Sequence, residues 1–102
     1  MAMIVAMYKT PKDPAEFDRY YFGTHVTLAK TVPGLKGYRV TRGPIMAMAG
    51  AQPYYLIAVL TFESMQAVQA ALASKEGQAV AADLANFATG GVEVFFSESE
   101  KI

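Results

Sequence analysis

The sequence predicts an α+β fold: a ferredoxin-like split βαβ unit with a four-stranded antiparallel sheet, forming a dimeric α+β barrel. Three observations carry this prediction. Apolar patterns follow one another in the order β-α-β-β-α-β, with the second helical segment divided in two, which is the order of the split βαβ motif. The run from Tyr54 to Phe62 (YYLIAVLTF) is apolar on both of its faces, so both faces need cover. Helices gathered on one side of a sheet leave the other side bare. A second copy of the same sheet is the economical cover, because closed homodimers are the commonest assembly.

Each element has its own signal. Ala2 to Lys9 is nearly continuous apolar and reads as a strand buried on both faces. In the turn that follows, Asp13 is placed to cap a helix and Pro14 to occupy its first position, where a missing N–H is harmless. Glu16 suits the first turn electrostatically. The first helix is predicted from Pro14 to Thr31, with Phe17, Tyr21, Leu28 and Val32 on its apolar stripe. His25 falls inside that stripe. Pro33-Gly34 stops the helix. Leu35 to Arg42 is predicted as the second strand, and Ile45 to Gln52 as a long hairpin connection. In the third strand Tyr54, Leu56, Ala58, Leu60 and Phe62 share one face, and Tyr55, Ile57, Val59 and Thr61 the other. Ser64 opens a second helix that turns Met65, Val68 and Leu72 inward. Ser74 caps a third helical segment carrying Val80, Leu84 and Phe87. Thr89-Gly90-Gly91 closes it. Val92 to Ser97 is the last strand, followed by a polar tail. No repeat or linker interrupts the chain, so residues 1–102 are expected to form one domain.

Composition narrows the function. Hydrophobic residues make up 53% of the chain and charged residues 18%, which for so short a chain leaves apolar surface for a partner or a ligand. Nine basic residues balance nine acidic ones, and no basic run is interleaved with aromatics. Nucleic acid is therefore not an expected partner. Without cysteine there are no disulfides, thiolate nucleophiles or cysteine-held metals. One histidine and scattered carboxylates do not form a first-row metal set. Neither a phosphate-binding loop nor a dinucleotide fingerprint is present, so no cofactor is expected. No apolar run approaches the roughly 20 residues of a membrane helix. The N-terminus reads as a strand rather than a signal peptide. A cytoplasmic protein with no membrane partner is the expectation.

The residues expected to carry chemistry are His25 and Tyr38. An imidazole titrates near neutrality and moves protons. Tyr38 returns across the Pro33-Gly34 turn, so its hydroxyl and the imidazole can meet in an apolar pocket between the first helix and the sheet, with His25 at its mouth. Phe17 and Tyr21 are assigned to the substrate-binding wall. The bland readings stand beside these: a packed histidine, and tyrosines that bury their rings for stability alone. Asp83 and Asn86, three apart, fall on one helix face. Asp83 either orients a histidine or solvates its helix, and the solvating reading is preferred. Arg39 and Arg42 are read as rim residues.

The segment from Phe17-x-x-Tyr20 through His25-x-x-Leu28 and Pro33-Gly34-Leu35-x-x-Tyr38 resembles the EthD family, as do Asp83-x-x-Asn86-Phe87 and Gly90-Gly91. This family takes its name from a gene cluster that degrades ethyl tert-butyl ether, and its members are often labelled reductases. The resemblance implies the dimeric α+β barrel. The same segment is similar to that of methylmuconolactone methylisomerases, in which a first-helix histidine and a second-strand tyrosine face the substrate. That similarity implies such roles for His25 and Tyr38, while the catalytic cysteine of those enzymes has no counterpart. The expected function is therefore binding of a small apolar or aromatic molecule by a homodimer. The reaction would be that of a cofactor-free oxidoreductase or isomerase with His25 as acid and base. A non-catalytic ligand-binding or accessory protein of a catabolic oxygenase pathway is the alternative.

Overall fold

β1 (Ala2–Lys9) and β3 (Tyr54–Phe62), the two most apolar strands, take the centre of one antiparallel sheet in the computed structural model, which describes residues 1–102. β2 (Gly37–Val40) and β4 (Val92–Glu98) flank them, giving the order β2-β3-β1-β4 of a ferredoxin-like α+β fold. The register sets Ile4 beside Leu60, Ala6 beside Ala58 and Tyr8 beside Leu56. All six are buried, so one sheet face forms the core floor. Onto it pack α1 (Pro14–Tyr20), α2 (Val26–Ala29), α3 (Met65–Ala73) and α4 (Lys75–Phe87), through Phe17, Tyr21, Val68, Ala71 and Phe87.

The helix starts follow their caps. The Asp13 carboxylate accepts from the Glu16 N–H at 3.2 Å. The Ser64 hydroxyl accepts from Ala67 N–H at 3.1 Å, and that of Ser74 from Gly77 N–H at 3.0 Å. A Cβ on Gly77 would stand 2.0 Å from the Ala71 carbonyl oxygen, so glycine is what lets α4 start so close to α3.

The first helix departs from a regular one. Between α1 and α2 the chain makes one wide π-helical turn, Tyr21–His25. A regular helix has 3.6 residues per turn, so a stripe of every fourth residue drifts around it by about 40° per step. The wide turn resets that drift. Phe17, Tyr21, His25 and Ala29 all point inward as a result, and Ala29 is buried in the place expected for Leu28. Helical structure ends at Ala29 rather than Thr31. In α3 the inward residue is Ala71, whereas Leu72 is 36% exposed.

Two strand readings also change. A bulge opposite Tyr8 and Lys9 pairs Lys9 with Tyr54 and Tyr8 with Leu56. The extra residue, Tyr55, leaves the ladder alternation, and its ring turns to Phe17 at 5.3 Å. Tyr54 and Tyr55 therefore exchange the faces that strict alternation assigns them. β2 is shorter than expected, although Lys36 N–H and Thr41 N–H still bond to Thr61 and Ile57 carbonyls beyond its ends.

The second sheet face carries no helix. Met3, Val5 and Met7 of β1 and Ile57 and Val59 of β3 are half-exposed there, and Phe95 of β4 is 57% exposed. No helix of the protein is long and apolar enough to cross a membrane.

Candidate functional site

Between the sheet floor and the helices lies a cavity of about 100 Å³. Small side chains make the room: Ala6 and Ala58 from the strands, Ala29, Ala71, Gly77 and Ala81 from the helices. At its rim stand Leu72 and Val94, 36% and 42% exposed. Apart from His25 and the hydroxyls of three tyrosines, the lining is hydrocarbon, and no lysine, arginine, aspartate or glutamate reaches it.

His25 arrives there because the π turn faces it inward. It sits in the wall rather than at the mouth, only 3% exposed, with its ring 4.6 Å from that of Phe87 and 5.4 Å from that of Tyr21. Its Nδ1 lies 2.8 Å from Oδ2 of Asp83 on α4. The other carboxylate oxygen accepts from the Tyr20 hydroxyl at 2.6 Å and from the Asn86 amide at 2.9 Å. The preferred sequence reading of Asp83 as a solvated helix residue is thus corrected: it is 7% exposed and holds His25. The spacing Asp83-x-x-Asn86 was the available signal. Its partner was invisible because 58 residues separate Asp83 from His25.

Electrostatics define the protonation of this pair. Desolvation pushes the Asp83 carboxyl up, but the hydrogen bonds from Tyr20, Asn86 and His25, together with the His25 charge, outweigh it and bring it below the usual carboxylate range. Burial lowers His25 below its ordinary value against the pull of Asp83. Near neutrality the imidazole is therefore uncharged. Its Nδ1–H is assigned as the donor to an ionised Asp83, which leaves Nε2 as a bare acceptor. Nε2 has no partner in the protein, yet no buried side-chain nitrogen or oxygen is sealed without one, so it keeps a sliver of accessible surface on the cavity.

Tyr38, paired with Leu60, stands on the same sheet face as the cavity and lines it. Its hydroxyl shares a hydrogen bond of 2.8 Å with that of Tyr21, which also lines the cavity. Phe17 does not reach the cavity. It is stacked on Tyr21, with ring planes 4° apart, as part of the aromatic core. Arg42 lies over the Phe22 ring at 4.5 Å, away from the cavity. Sequence reasoning missed Tyr8, which is 1% exposed and lines the cavity. In sequence it is one more apolar residue of a core strand. Burial raises the hydroxyls of Tyr8, Tyr21 and Tyr38 above the ordinary tyrosine value, so all three keep their protons.

Among known proteins, an uncharacterized 11.0 kDa protein of the thcB–thcC intergenic region of Rhodococcus erythropolis is 41% identical over 103 residues, covering 100% of this chain and 98% of that one. The crystal structure of an ethyl tert-butyl ether degradation (EthD) family protein from Bacillus halodurans superimposes with a TM-score of 0.89 at 30% identity, over 98% of this chain and 99% of that one. SnoaB, a cofactor-independent oxygenase from Streptomyces nogalater, shares the fold at 18% identity with a TM-score of 0.66, over 99% of this chain and 94% of that one. The EthD domain matches residues 9–91, which include the first helix, β2, β3 and the Asp83 helix, and this chain belongs to the EthD family.

Proposed function

We propose that this chain acts as a homodimer that binds a small apolar or aromatic metabolite and moves a proton on it without a cofactor, His25 being the acid–base group. The observation that carries this reading is the pairing of His25 Nδ1 with Asp83 on an otherwise apolar cavity, with Nε2 left unpartnered. A neutral imidazole so held is a general base. When Nε2 takes a proton, the imidazolium that forms is stabilised by the Asp83 carboxylate behind it. Of the two hydroxyl protons on Tyr21 and Tyr38, one is used between them and one remains to donate to an oxyanion.

The product of that step is a substrate carbanion or oxyanion enclosed in a dry pocket. Return of the proton to another atom completes an isomerisation. The same anion is electron-rich enough to react with dioxygen, the direction suggested by the fold shared with SnoaB. Both readings depend on the His25 step. The homodimer follows from the helix-free sheet face, whose half-exposed methionine, valine and isoleucine side chains and exposed Phe95 are suited to a second copy of themselves.

The test is incorporation of solvent deuterium into lactones, quinones and aromatic ketones, followed by NMR. His25→Asn keeps an N–H donor for Asp83 but has no base at the Nε2 position, and it is expected to abolish incorporation. Incorporation at the wild-type rate in this variant would remove His25 from the chemistry. Binding without incorporation would make the protein a carrier.

A further inference from the structure

We infer that the cavity selects uncharged, carbonyl-bearing molecules of about one ring, with Tyr8 donating to the carbonyl oxygen while His25 faces the adjacent acidic hydrogen, and that it rejects carboxylates of the same shape. This deepens the acid–base reading and rests on it for the role of His25. Two polar groups of the cavity stand apart from the Tyr21–Tyr38 hydroxyl pair, whose one spare proton serves an oxyanion. Nε2 of His25 can only accept. The Tyr8 hydroxyl makes no hydrogen bond within the protein, yet no polar side-chain atom is sealed without a partner, so this hydroxyl keeps a little accessible surface, which we place on the cavity that Tyr8 lines. Its residue is 1% exposed, so its proton has nothing but a ligand or a trapped water to bond. A ligand that satisfies both groups must bring an acceptor to one and a polarised hydrogen to the other. A carbonyl with a hydrogen on the adjacent carbon brings both within three atoms.

Charge excludes the carboxylate. No cation lines the cavity, and the charge behind His25 is the ionised Asp83, which repels a second anion. A carboxylate there would be desolvated without a counter-ion. It would also present an acceptor, not a donor, to the Nε2 lone pair.

Size sets the upper limit. About 100 Å³ is less than the roughly 150 Å³ of an apolar cavity known to hold benzene. A carbonyl head group fits within it, and a single ring attached to that head group extends between Leu72 and Val94, the exposed rim. Fused ring systems exceed it.

The experiment compares acetophenone with benzoate, which share a ring and differ only in replacing the acetyl group by a carboxylate. Binding is followed at neutral pH by NMR titration of the wild-type protein. Acetophenone is expected to bind at least about tenfold more tightly, a factor equivalent to roughly 1.4 kcal/mol. Tyr8→Phe is expected to weaken acetophenone binding by a similar factor without lowering the urea midpoint, since the hydroxyl it removes supports no protein contact. Equal affinity for the two probes, unchanged affinity in Tyr8→Phe, or no acetophenone binding at its solubility limit overturns the inference. Deuterium exchange at the acetophenone methyl, measured on the same samples, tests the acid–base reading separately. Selective binding without His25-dependent exchange leaves the ligand class standing and removes the chemistry. Exchange accompanied by equal benzoate affinity does the reverse.

Discussion

His25 on the π turn and Asp83 on α4 meet at 2.8 Å between neighbouring helices of one layer, although 58 residues separate them in the chain. The contact fixes the imidazole tautomer and offsets part of the desolvation that lowers His25. Asp83→Asn keeps an acceptor for Nδ1–H and removes the charge. The His25 pKa is then expected to fall further below its ordinary value, as read by NMR titration of the single imidazole. A rise would show that Asp83 does not act on His25 as described. The loss of a charged acceptor for three donors should also lower stability by about 1–3 kcal/mol.

The same pair predicts acid sensitivity in two steps. The folded His25 pKa lies below its ordinary value near 6.5, so the unfolded chain takes the proton first as pH falls. The stability associated with neutral His25 is complete above about 6.5 and declines as pH drops below it. Asp83 is also depressed, so its contribution persists to lower pH and is lost below the ordinary carboxylate range. Urea midpoints of wild type and His25→Asn should diverge in slope as pH falls below about 6.5, with the variant flatter. Parallel curves across that window would contradict the assignment.

Much of this architecture is legible in the sequence because it rests on local signals. Asp13-Pro14, Ser64 and Ser74 announce helix starts, and YYLIAVLTF announces the central strand. What escapes is set by non-local geometry. The π turn carries no sequence signature in YFGTH, yet it shifts the inward register from Leu28 to Ala29. The bulge that exchanges Tyr54 and Tyr55 depends on pairing with Lys9, far away in the chain. Asp83 reads as a surface carboxylate until the fold brings Tyr20, His25 and Asn86 around it. His25 and Tyr38 are legible from their pattern and similarity. Tyr8 is not, because a tyrosine in an apolar strand looks like core until a cavity opens beside it.

The tight start of α4, where Gly77 meets the cavity wall, provides a stability test that involves none of the polar site groups. Gly77→Ala would bring a Cβ to within 2.0 Å of the Ala71 carbonyl oxygen and 3.1 Å of the Leu72 Cα. Both are backbone atoms, so the α3–α4 junction has to open. A loss of about 1–3 kcal/mol in urea unfolding is expected, far from the small gain that glycine-to-alanine changes give in an unhindered helix. A stabilised variant would mean that the helices do not approach so closely.

Dimerisation through the bare sheet face is tested by charge. Val5 and Phe95 are neighbours across the β1–β4 pair on that face. Val5→Lys or Phe95→Asp, where Phe95 is already 57% exposed, should leave the protomer folded and convert a dimer into a monomer by light scattering. The wild-type interface should bury more than about 1,200 Å² in total, the lower bound of stable specific interfaces. A wild-type monomer at micromolar concentration would eliminate the pairing.

Filling the cavity distinguishes a functional space from a packing defect. Ala58 is 1% exposed at the centre of β3, opposite Ala6, and both line the cavity. Ala58→Leu adds three carbons to a space of about 100 Å³. If they fit, burial contributes roughly 0.8 kcal/mol per added carbon, for a gain of about 2 kcal/mol. A side chain forced off its preferred rotamer would consume part of that gain. Acetophenone binding should disappear in either case, because the leucine occupies the volume the ligand needs. A natural sequence that keeps alanine here forgoes available stability, as expected where a binding space is maintained for its own sake. Undiminished binding in a folded Ala58→Leu variant would place the ligand elsewhere on the protein, and the cavity floor formed by Ala6 and Ala58 would then have only a structural meaning.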